Sequence, residues 1–174
     1  MEKTVESATA SRSYLDGLAK RIESCERGKI MSRLLRRDVN CAGTALYLVG
    51  DAEKDSYVEP KTLYADYLSR LGKISNPVVG CIVAWTGKHV QLDRMFIATD
   101  WVNTRHIGVL TDINPIRVAH RDGLSGWFIK SQSIEEIENY GMRRGSLISK
   151  NTGRIAYARI FERGFYLPKN FFVR

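Results

Sequence analysis

One cysteine and two histidines are the residues in this chain best suited to covalent chemistry. Cys41 follows a polar stretch and opens an apolar segment, while His106 and His120 lie on either side of a turn at residues 112–115. A thiolate can attack a carbonyl carbon while an imidazole accepts and returns the proton. A second imidazole can fix the orientation of the first. The three residues together predict nucleophilic thiol chemistry on an amide or ester.

The two histidines are predicted to face each other across a β-hairpin. Each is seven residues from Ile113, so a hairpin centred on Ile113 places His106 directly opposite His120 on the same face. Opposed residues have Cβ atoms about 4.5–5.5 Å apart, which lets two rings interact. A register shifted by one residue would send the rings to opposite faces. The predicted imidazole pair therefore depends on the register of this hairpin.

A helix predicted to begin at Cys41 would help to ionise the thiol. The free N–H groups of a helix start carry partial positive charge, and a nearby imidazolium would lower the thiol pKa further. Ala42 and Gly43 are small enough to let substrate approach the sulfur, and the backbone N–H of Cys41 could stabilise an oxyanion. Four residues are predicted to contact substrate: Asn40, Ala42, Trp101 and Arg121.

Structural roles are the alternative for each of these residues. A cysteine at a helix start is usually packing, and a strand histidine is usually a hydrogen-bonded polar residue. Zinc bound by the two histidines and Cys41 is a further alternative, but no carboxylate is spaced to complete a typical site, so no metal or cofactor is predicted. Cys25 falls on an apolar helical stripe and is predicted to be core, whereas His89 is predicted in an exposed turn.

Helical signals dominate the first part of the chain. Residues 1–11 are small and polar and are predicted to be disordered, so one domain is expected over residues 12–174. A helix is predicted from Arg12, with an apolar stripe at Leu15, Leu18, Ile22 and Cys25. A short helical patch is predicted over residues 30–35. Two further helices are predicted from their start and stop residues. One runs from Cys41 to Val49, capped by Asn40 and ended by Gly50, and the other starts at Pro60 and is stopped by Gly72.

Strand signals dominate the remainder, which predicts an α+β domain. The apolar run Val78–Trp85 is typical of a central strand buried on both faces, and Gly87 of a turn. Ser133 and Glu136 form a capping box for a helix ending near residue 140. Further strands are predicted at residues 89–92, 95–99, 106–111, 116–120 and 155–161.

Composition bounds the class of protein and its partners. The net charge of +8 favours an acidic partner such as nucleic acid or another anionic polymer, or else marks a solvated basic face. Three cysteines cannot all pair, which favours a reducing compartment. The sequence shows no signal peptide and no run of roughly 20 apolar residues, so we expect a protein that is soluble and cytoplasmic at synthesis. Export by a dedicated secretion system stays open.

The ordered motifs around these residues resemble those of the NlpC-type peptidases, a branch of the papain-like cysteine hydrolases. The resemblance covers residues 38–125, near half the chain. It rests on four segments: Asn40-Cys41-Ala42-Gly43-Thr44, Val79-Gly80-Cys81-Ile82-Val83, His106-Ile107-Gly108-Val109 and Val118-Ala119-His120.

The resemblance implies a papain-like fold, with N-terminal helices packed on an antiparallel sheet. It implies that Cys41 is the nucleophile, His106 the general base and acid, and His120 the residue that orients His106. Members of that family cleave amide bonds in bacterial cell-wall peptides through an acyl-enzyme, without metal. This chain departs from the pattern at Asn40 and Ala42, where the family has aspartate and serine, and a charged stretch at residues 33–38 replaces its Tyr/Trp-Gly-Gly segment.

Three functions are therefore consistent with the sequence. The first is a cysteine peptidase or amidase that cleaves a peptide or isopeptide bond. The second is an acyltransferase or deamidase that uses the same three residues on the same fold. The third is a basic nucleic-acid-binding protein without catalysis, although the chain contains no defined nucleic-acid motif and no Gly-rich phosphate loop.

Overall fold

The computed structural model describes residues 9–27, 39–59, 63–91, 103–122, 127–141, 146–148 and 155–172. This part of the chain combines helices with an antiparallel sheet, which confirms the predicted α+β class. The helices are α1 (Arg12–Arg27), α2 (Cys41–Val49), a π-helical turn (Leu63–Tyr67), a 3-10 turn (Leu68–Arg70) and α3 (Ile134–Gly141). The strands are β1 (Gly72–Ile74), β2 (Ile82–Gln91), β3 (Asn103–Ile113), β4 (Ile116–Arg121), β5 (Phe128–Ser133), β6 (Ser146–Ile148) and β7 (Ile155–Leu167).

The strands form one sheet in which β2 to β5 follow each other as a meander. Six strands lie in the order β1-β7-β2-β3-β4-β5, and β6 also pairs with β7. The long strand β7 pairs with β2 along one edge. On its other edge it pairs with β1 near Phe165 and with β6 near Tyr157. The chain thus returns at its end to cover the edge of the meander.

Two of the predicted helices begin and end as the sequence indicates. In α1 the buried stripe is Tyr14, Leu18, Ile22 and Cys25, which confirms Cys25 as core. Asn40 caps α2: its side-chain oxygen accepts the backbone N–H of Gly43 at 2.9 Å. Gly50 ends the helix in the left-handed conformation, with φ of 82°.

The capping box at the start of α3 is also confirmed. The backbone N–H of Ser133 donates to Glu136 Oε2 at 3.0 Å, and the backbone N–H of Glu136 donates to Ser133 Oγ at 3.2 Å. The two bonds satisfy N–H groups that a helix start leaves without a partner within the helix.

Other predicted elements were wrong in extent. The helix predicted from Pro60 to Gly72 is, where described, a π-helical turn followed by a 3-10 turn, and Gly72 begins β1. Strand β2 continues through residue 87 to Gln91. It therefore contains His89, which was predicted in a turn. Strand β7 extends six residues past the predicted end at Phe161. Strands β1, β5 and β6 were not predicted.

Some predictions lie outside the described residues. These are the disorder of residues 1–8, the helical patch at residues 30–35, the strand at residues 95–99 and the position of Trp101.

The middle of the sheet is buried on both faces. The four consecutive residues Ile82, Val83, Ala84 and Trp85 are each at most 1% exposed. Because successive strand residues point to opposite faces, both faces of β2 are covered. Helix α2 packs on β3 and β4, and α1 packs against α2 and β5. This arrangement fixes the start of α2 relative to the β3–β4 hairpin.

Candidate active site

The β3–β4 hairpin places the two histidines on one face in a register that differs from the predicted one. The Cα partner of His120 is Gly108, and Val109 pairs with Ala119. The prediction that His106 lies directly opposite His120 is therefore wrong by two residues. A shift of two residues preserves the face, because side chains alternate with a period of two. His106 and His120 are diagonal neighbours, because the turn closes at Ile113 and Ile116 and the register shifts by one residue between Leu110 and Asp112.

The two imidazoles are hydrogen-bonded to each other. His106 Nε2 lies 2.9 Å from His120 Nδ1, with ring centroids 4.8 Å apart and ring planes at 85°. The second nitrogen of His120, Nε2, lies 2.7 Å from the side-chain oxygen of Gln132 on β5. A polar chain thus runs across three neighbouring strands, from His106 through His120 to Gln132.

Gln132 was not predicted, because β5 was not recognised as a strand. The segment Phe128-Ile-Lys-Ser-Gln-Ser has only two apolar residues, both at its start, so it lacks the alternation that signals a strand. Its pairing with β4 is a tertiary interaction that local sequence does not report. To predict the hydrogen bond between His120 and Gln132, one would have to know that β4 pairs with β5.

Burial keeps both histidines neutral. His106 is 7% exposed and His120 is 4% exposed. Burial lowers the pKa of His106 to about 3, with a further contribution from His120, while the Asp122 carboxylate opposes the shift. Burial also lowers the pKa of His120, against the opposing effect of its bond to Gln132. At neutral pH the pair therefore holds no imidazolium.

Trp85 covers His106 from the neighbouring strand. The two residues are Cα partners in the β2–β3 pair, and their ring centroids are 5.6 Å apart. The indole N–H of Trp85 donates to Glu138 Oε1 on α3 at 2.9 Å, and Arg163 donates to the same oxygen at 2.8 Å. The indole is therefore held by a carboxylate that Arg163 also contacts, and its ring lies against His106, which helps to explain the burial of that histidine.

Cys41 begins α2 and is partly buried. Burial raises the pKa of its thiol, while backbone hydrogen bonds from Ile107, Ala42 and Cys41 itself oppose the shift. The bond from Ile107 places the sulfur beside the residue that follows His106 in β3. The prediction of a depressed thiol pKa was wrong for the resting protein, because burial outweighs the helix start and no imidazolium is present.

Asp122 is a carboxylate near all three groups. It acts on the pKa values of Cys41, His106 and His120, raising each. It follows the end of β4, and its backbone N–H donates to the carbonyl oxygen of Trp127 at 2.8 Å. Negative charge at this point would stabilise an imidazolium formed during a reaction. Asp122 was not predicted from the sequence to be part of the site.

Asn40 and Ala42 hold the start of α2 in place. Besides capping the helix, Asn40 accepts the backbone N–H of Val58 at 3.1 Å and donates to the Val58 carbonyl at 2.7 Å. Ala42 is 1% exposed. Gly43 packs so closely that an added Cβ would lie 1.4 Å from the carbonyl oxygen of Ser56. The segment that follows α2 is therefore fixed against the helix.

Arg121 belongs to a buried polar cluster beneath α2. Its Nε donates to Thr44 Oγ1 at 2.8 Å, and its guanidinium forms an ion pair with Asp55. Thr44 in turn donates to Asp55 Oδ1 at 2.7 Å. These contacts give Arg121 a structural role, as capping and packing do for Asn40 and Ala42. Contact of these residues with substrate stays a prediction.

The chain was compared with known proteins by sequence and by structure. No protein-family model, curated protein or solved structure matches it.

The described residues contain neither a helix that could span a membrane nor a cluster of metal ligands. Within those ranges, no helix has the length and apolar content needed to cross a bilayer. Over the same residues, no group of three or more His, Cys, Asp or Glu side chains is arranged to hold a metal ion.

Proposed function

We propose that this protein is a thiol-dependent amide hydrolase with a papain-like, NlpC-type arrangement of helix and sheet. The observation that carries the proposal is the hydrogen bond of 2.9 Å between His106 and His120. Cys41 begins α2, the helix that packs on the two strands carrying these histidines. The backbone bond from Ile107 to Cys41 supports the convergence of the three residues.

The reaction begins from a neutral thiol and a neutral imidazole. Because Nε2 of His106 is engaged with His120, its Nδ1 is the nitrogen that takes the thiol proton. The sulfur of Cys41 bonds to the carbonyl carbon, and the carbonyl oxygen becomes an oxyanion near the N–H groups of the helix start. The imidazolium formed on His106 is stabilised by His120 and by the carboxylate of Asp122.

The intermediate then breaks down in two stages. The carbon–nitrogen bond breaks, the departing amine takes the proton from His106, and an acyl-enzyme remains on Cys41. Water attacks the acyl carbon while His106 accepts its proton. The carbon–sulfur bond breaks, and the proton returns to the thiolate. The resting pair is restored without any other reactant.

The substrate class follows from the chemistry and from the resemblance. Thiolate attack suits a peptide or isopeptide bond, and the resemblance suggests the peptides of bacterial cell walls. The same acyl-enzyme could be captured by another acceptor, which would make the protein an acyltransferase. The absence of the family's wall-peptide features, at Asn40, at Ala42 and in the charged stretch at residues 33–38, favours this second candidate.

Product analysis separates these candidates. The purified protein is incubated with a cell-wall digest, alone and with amine acceptors, and the products are read by mass spectrometry. Hydrolysis adds water across an amide bond, whereas transfer yields a product joined to the acceptor. Cys41→Ala is the control and should lose several orders of magnitude in rate. Equal turnover by Cys41→Ala would refute both candidates.

The nucleic-acid alternative is supported by the charge of +8 and by the scattered tyrosine and tryptophan residues. Binding of this kind weakens steeply with salt, because bound cations are released from the phosphate backbone. A gel-shift titration at low salt tests it, and unchanged mobility would remove it.

A further inference from the structure

We propose that Gln132 is a positioning residue: its carbonyl oxygen fixes which nitrogens of His120 and His106 carry protons. The proposal rests on the proposed function for its catalytic meaning, but the proton positions themselves can be measured without turnover. It stands on the unbroken chain of contacts from Gln132 to His120 at 2.7 Å and from His120 to His106 at 2.9 Å.

The strand pairing explains why Gln132 reaches His120. The Cα partner of Gln132 is Val118, two residues before His120 on β4, so all three side chains share a face. Ile129 pairs with His120 itself, after an irregularity in the β4–β5 register. Gln132 is therefore the diagonal neighbour of His120 on one side, as His106 is on the other.

The carbonyl oxygen of Gln132 can only accept a hydrogen bond. The contact therefore requires a proton on Nε2 of His120. A neutral imidazole has one N–H, so Nδ1 of His120 is an acceptor. Nε2 of His106 must then donate, which leaves Nδ1 of His106 without a proton. That lone pair is what a general base for the Cys41 thiol needs.

If the amide of Gln132 had the opposite orientation, every donor and acceptor along this chain of hydrogen bonds would exchange roles. If the NH₂ group of Gln132 faced His120, Nε2 of His120 would be the acceptor and its Nδ1 the donor. His106 would accept through Nε2 and carry its proton on Nδ1. Nδ1 of His106 could then not accept the thiol proton, because it would already carry a proton. One side-chain amide therefore decides whether the histidine pair can act as a base.

A neutral amide also suits the burial of the pair. A carboxylate at position 132 would accept the same hydrogen bond, but it would favour an imidazolium at His120. His120 is 4% exposed, so a charged ring there is costly unless it is paired. Glutamine supplies the acceptor without the charge.

The test is the protonation state of each ring nitrogen, measured by ¹⁵N chemical shifts of labelled histidine. In the wild type we expect N–H at Nε2 of both His106 and His120. In Gln132→Met, which has similar volume and only a weakly accepting thioether, we expect a mixture of tautomers in both rings. Ser131→Met changes an exposed residue on the same strand and is the matched control. It should leave both rings as in the wild type.

A second variant covers the case in which Gln132→Met does not fold. Gln132→Glu should retain the wild-type tautomers and raise the pH at which His120 takes up a second proton. Cys41 and Asp122 are unchanged in both variants, and Glu138 contacts Trp85 rather than the imidazoles. A wild-type protein with a proton on Nδ1 of His106 would overturn the proposal. So would Gln132→Met with unchanged tautomers, or Gln132→Glu with unchanged His120 titration.

The outcomes also separate this inference from the proposed function. If the tautomers respond as expected but the protein forms no acyl-enzyme, the positioning role stands and the enzyme proposal fails. If an acyl-enzyme forms but substitution of Gln132 leaves the tautomers unchanged, the enzyme proposal stands and the positioning role fails.

Discussion

Gly108 lies directly opposite His120 in the β3–β4 pair, and its missing side chain makes room for the imidazole contact. A Cβ atom on Gly108 would lie 2.4 Å from Val118 Cγ1 and 3.0 Å from His120 Cβ. Real Cβ atoms do not approach other atoms so closely. The glycine two residues after His106 is therefore what allows His120 to lie diagonally against it.

Gly108→Ala should disrupt the pair. The added methyl group also meets the backbone oxygen of Ala119 at 2.9 Å, so β4 must move rather than a flexible side chain. We expect a loss of about 1–3 kcal/mol in the free energy of unfolding. The expected loss of the contact between His106 and His120 would appear in histidine ¹⁵N spectra.

Gly72→Ala is the matched control for this substitution. Gly72 is also in the sheet, and a Cβ added there would have no other atom within 4 Å. Its free energy of unfolding, measured in urea, should be within about 0.5 kcal/mol of the wild-type value. Equal stability of the two variants would contradict the close packing at Gly108.

Asp55→Ala should destabilise the protein far more than loss of a surface ion pair. It removes the carboxylate from the buried guanidinium of Arg121 and from Thr44. Removing one partner of a buried pair costs about 3–5 kcal/mol, because the other charge is left buried.

Glu162→Ala serves as the comparison, since it breaks the exposed pair with Lys73. Such a pair contributes about 0–1 kcal/mol. Both free energies come from urea unfolding at pH 7. Similar losses in the two variants would mean that the Arg121 cluster does not stabilise the start of α2.

Stability should fall as the pH drops below about 6.5, in part because of His106. The unfolded histidine titrates near pH 6.5, whereas the pKa of folded His106 is about 3. Between these values the unfolded state binds more protons, so the stabilisation present above pH 6.5 is lost as the pH falls. The slope is about 1.4 kcal/mol per pH unit, or about 2 kcal/mol by pH 5.

The check is urea unfolding of the wild type and of His106→Gln at pH 7, 6 and 5. The variant should lose less stability over this range, because it lacks one of the two buried imidazoles. An identical pH dependence in the two proteins would mean that the pKa of His106 is the same in the folded and unfolded states, which would contradict its depression by burial.

Cys41 should be the first cysteine to react with iodoacetamide. It is partly buried, whereas Cys25 is 7% exposed and Cys81 is 0% exposed. Burial raises the pKa of both Cys25 and Cys81 to about 12. The pKa of Cys41 is also raised, so its labelling rate should increase steadily with pH above 7.

Peptide mapping after partial labelling measures the order of reaction, and Cys41→Ser is the control. A labelling rate at Cys41 that is already maximal at pH 6 would indicate a preformed thiolate and contradict a neutral resting pair. Earlier labelling of Cys81 would contradict the burial of that thiol.

The sequence predicted the parts of the site that depend on local signals. Asn40 and Gly50 bound α2 because a cap and a left-handed glycine act within a few residues. The shared face of His106 and His120 was predicted from a hairpin centred on Ile113. The actual register was not predicted, because the turn closes at Ile113 and Ile116 and an irregularity between Leu110 and Asp112 returns the two histidines to one face.

The parts that were missed depend on contacts between distant segments. Gln132 reaches His120 only through the β4–β5 pairing. The direction of the Cys41 pKa shift depends on burial by the whole fold, whereas the helix start is a local feature. Arg121 is buried because its guanidinium pairs with Asp55 and donates a hydrogen bond to Thr44. Neither partner adjoins Arg121 in sequence.

The central claim is that Cys41 is a nucleophile served by His106, and acylation by a p-nitrophenyl ester tests it most directly. The wild type should release a burst of one p-nitrophenolate per chain, with the acyl group on the peptide that contains Cys41. Cys41→Ala should show no burst, and His106→Ala should acylate about 10²–10⁴-fold more slowly. A burst of equal size in Cys41→Ala, or an unchanged rate in His106→Ala, would contradict the claim.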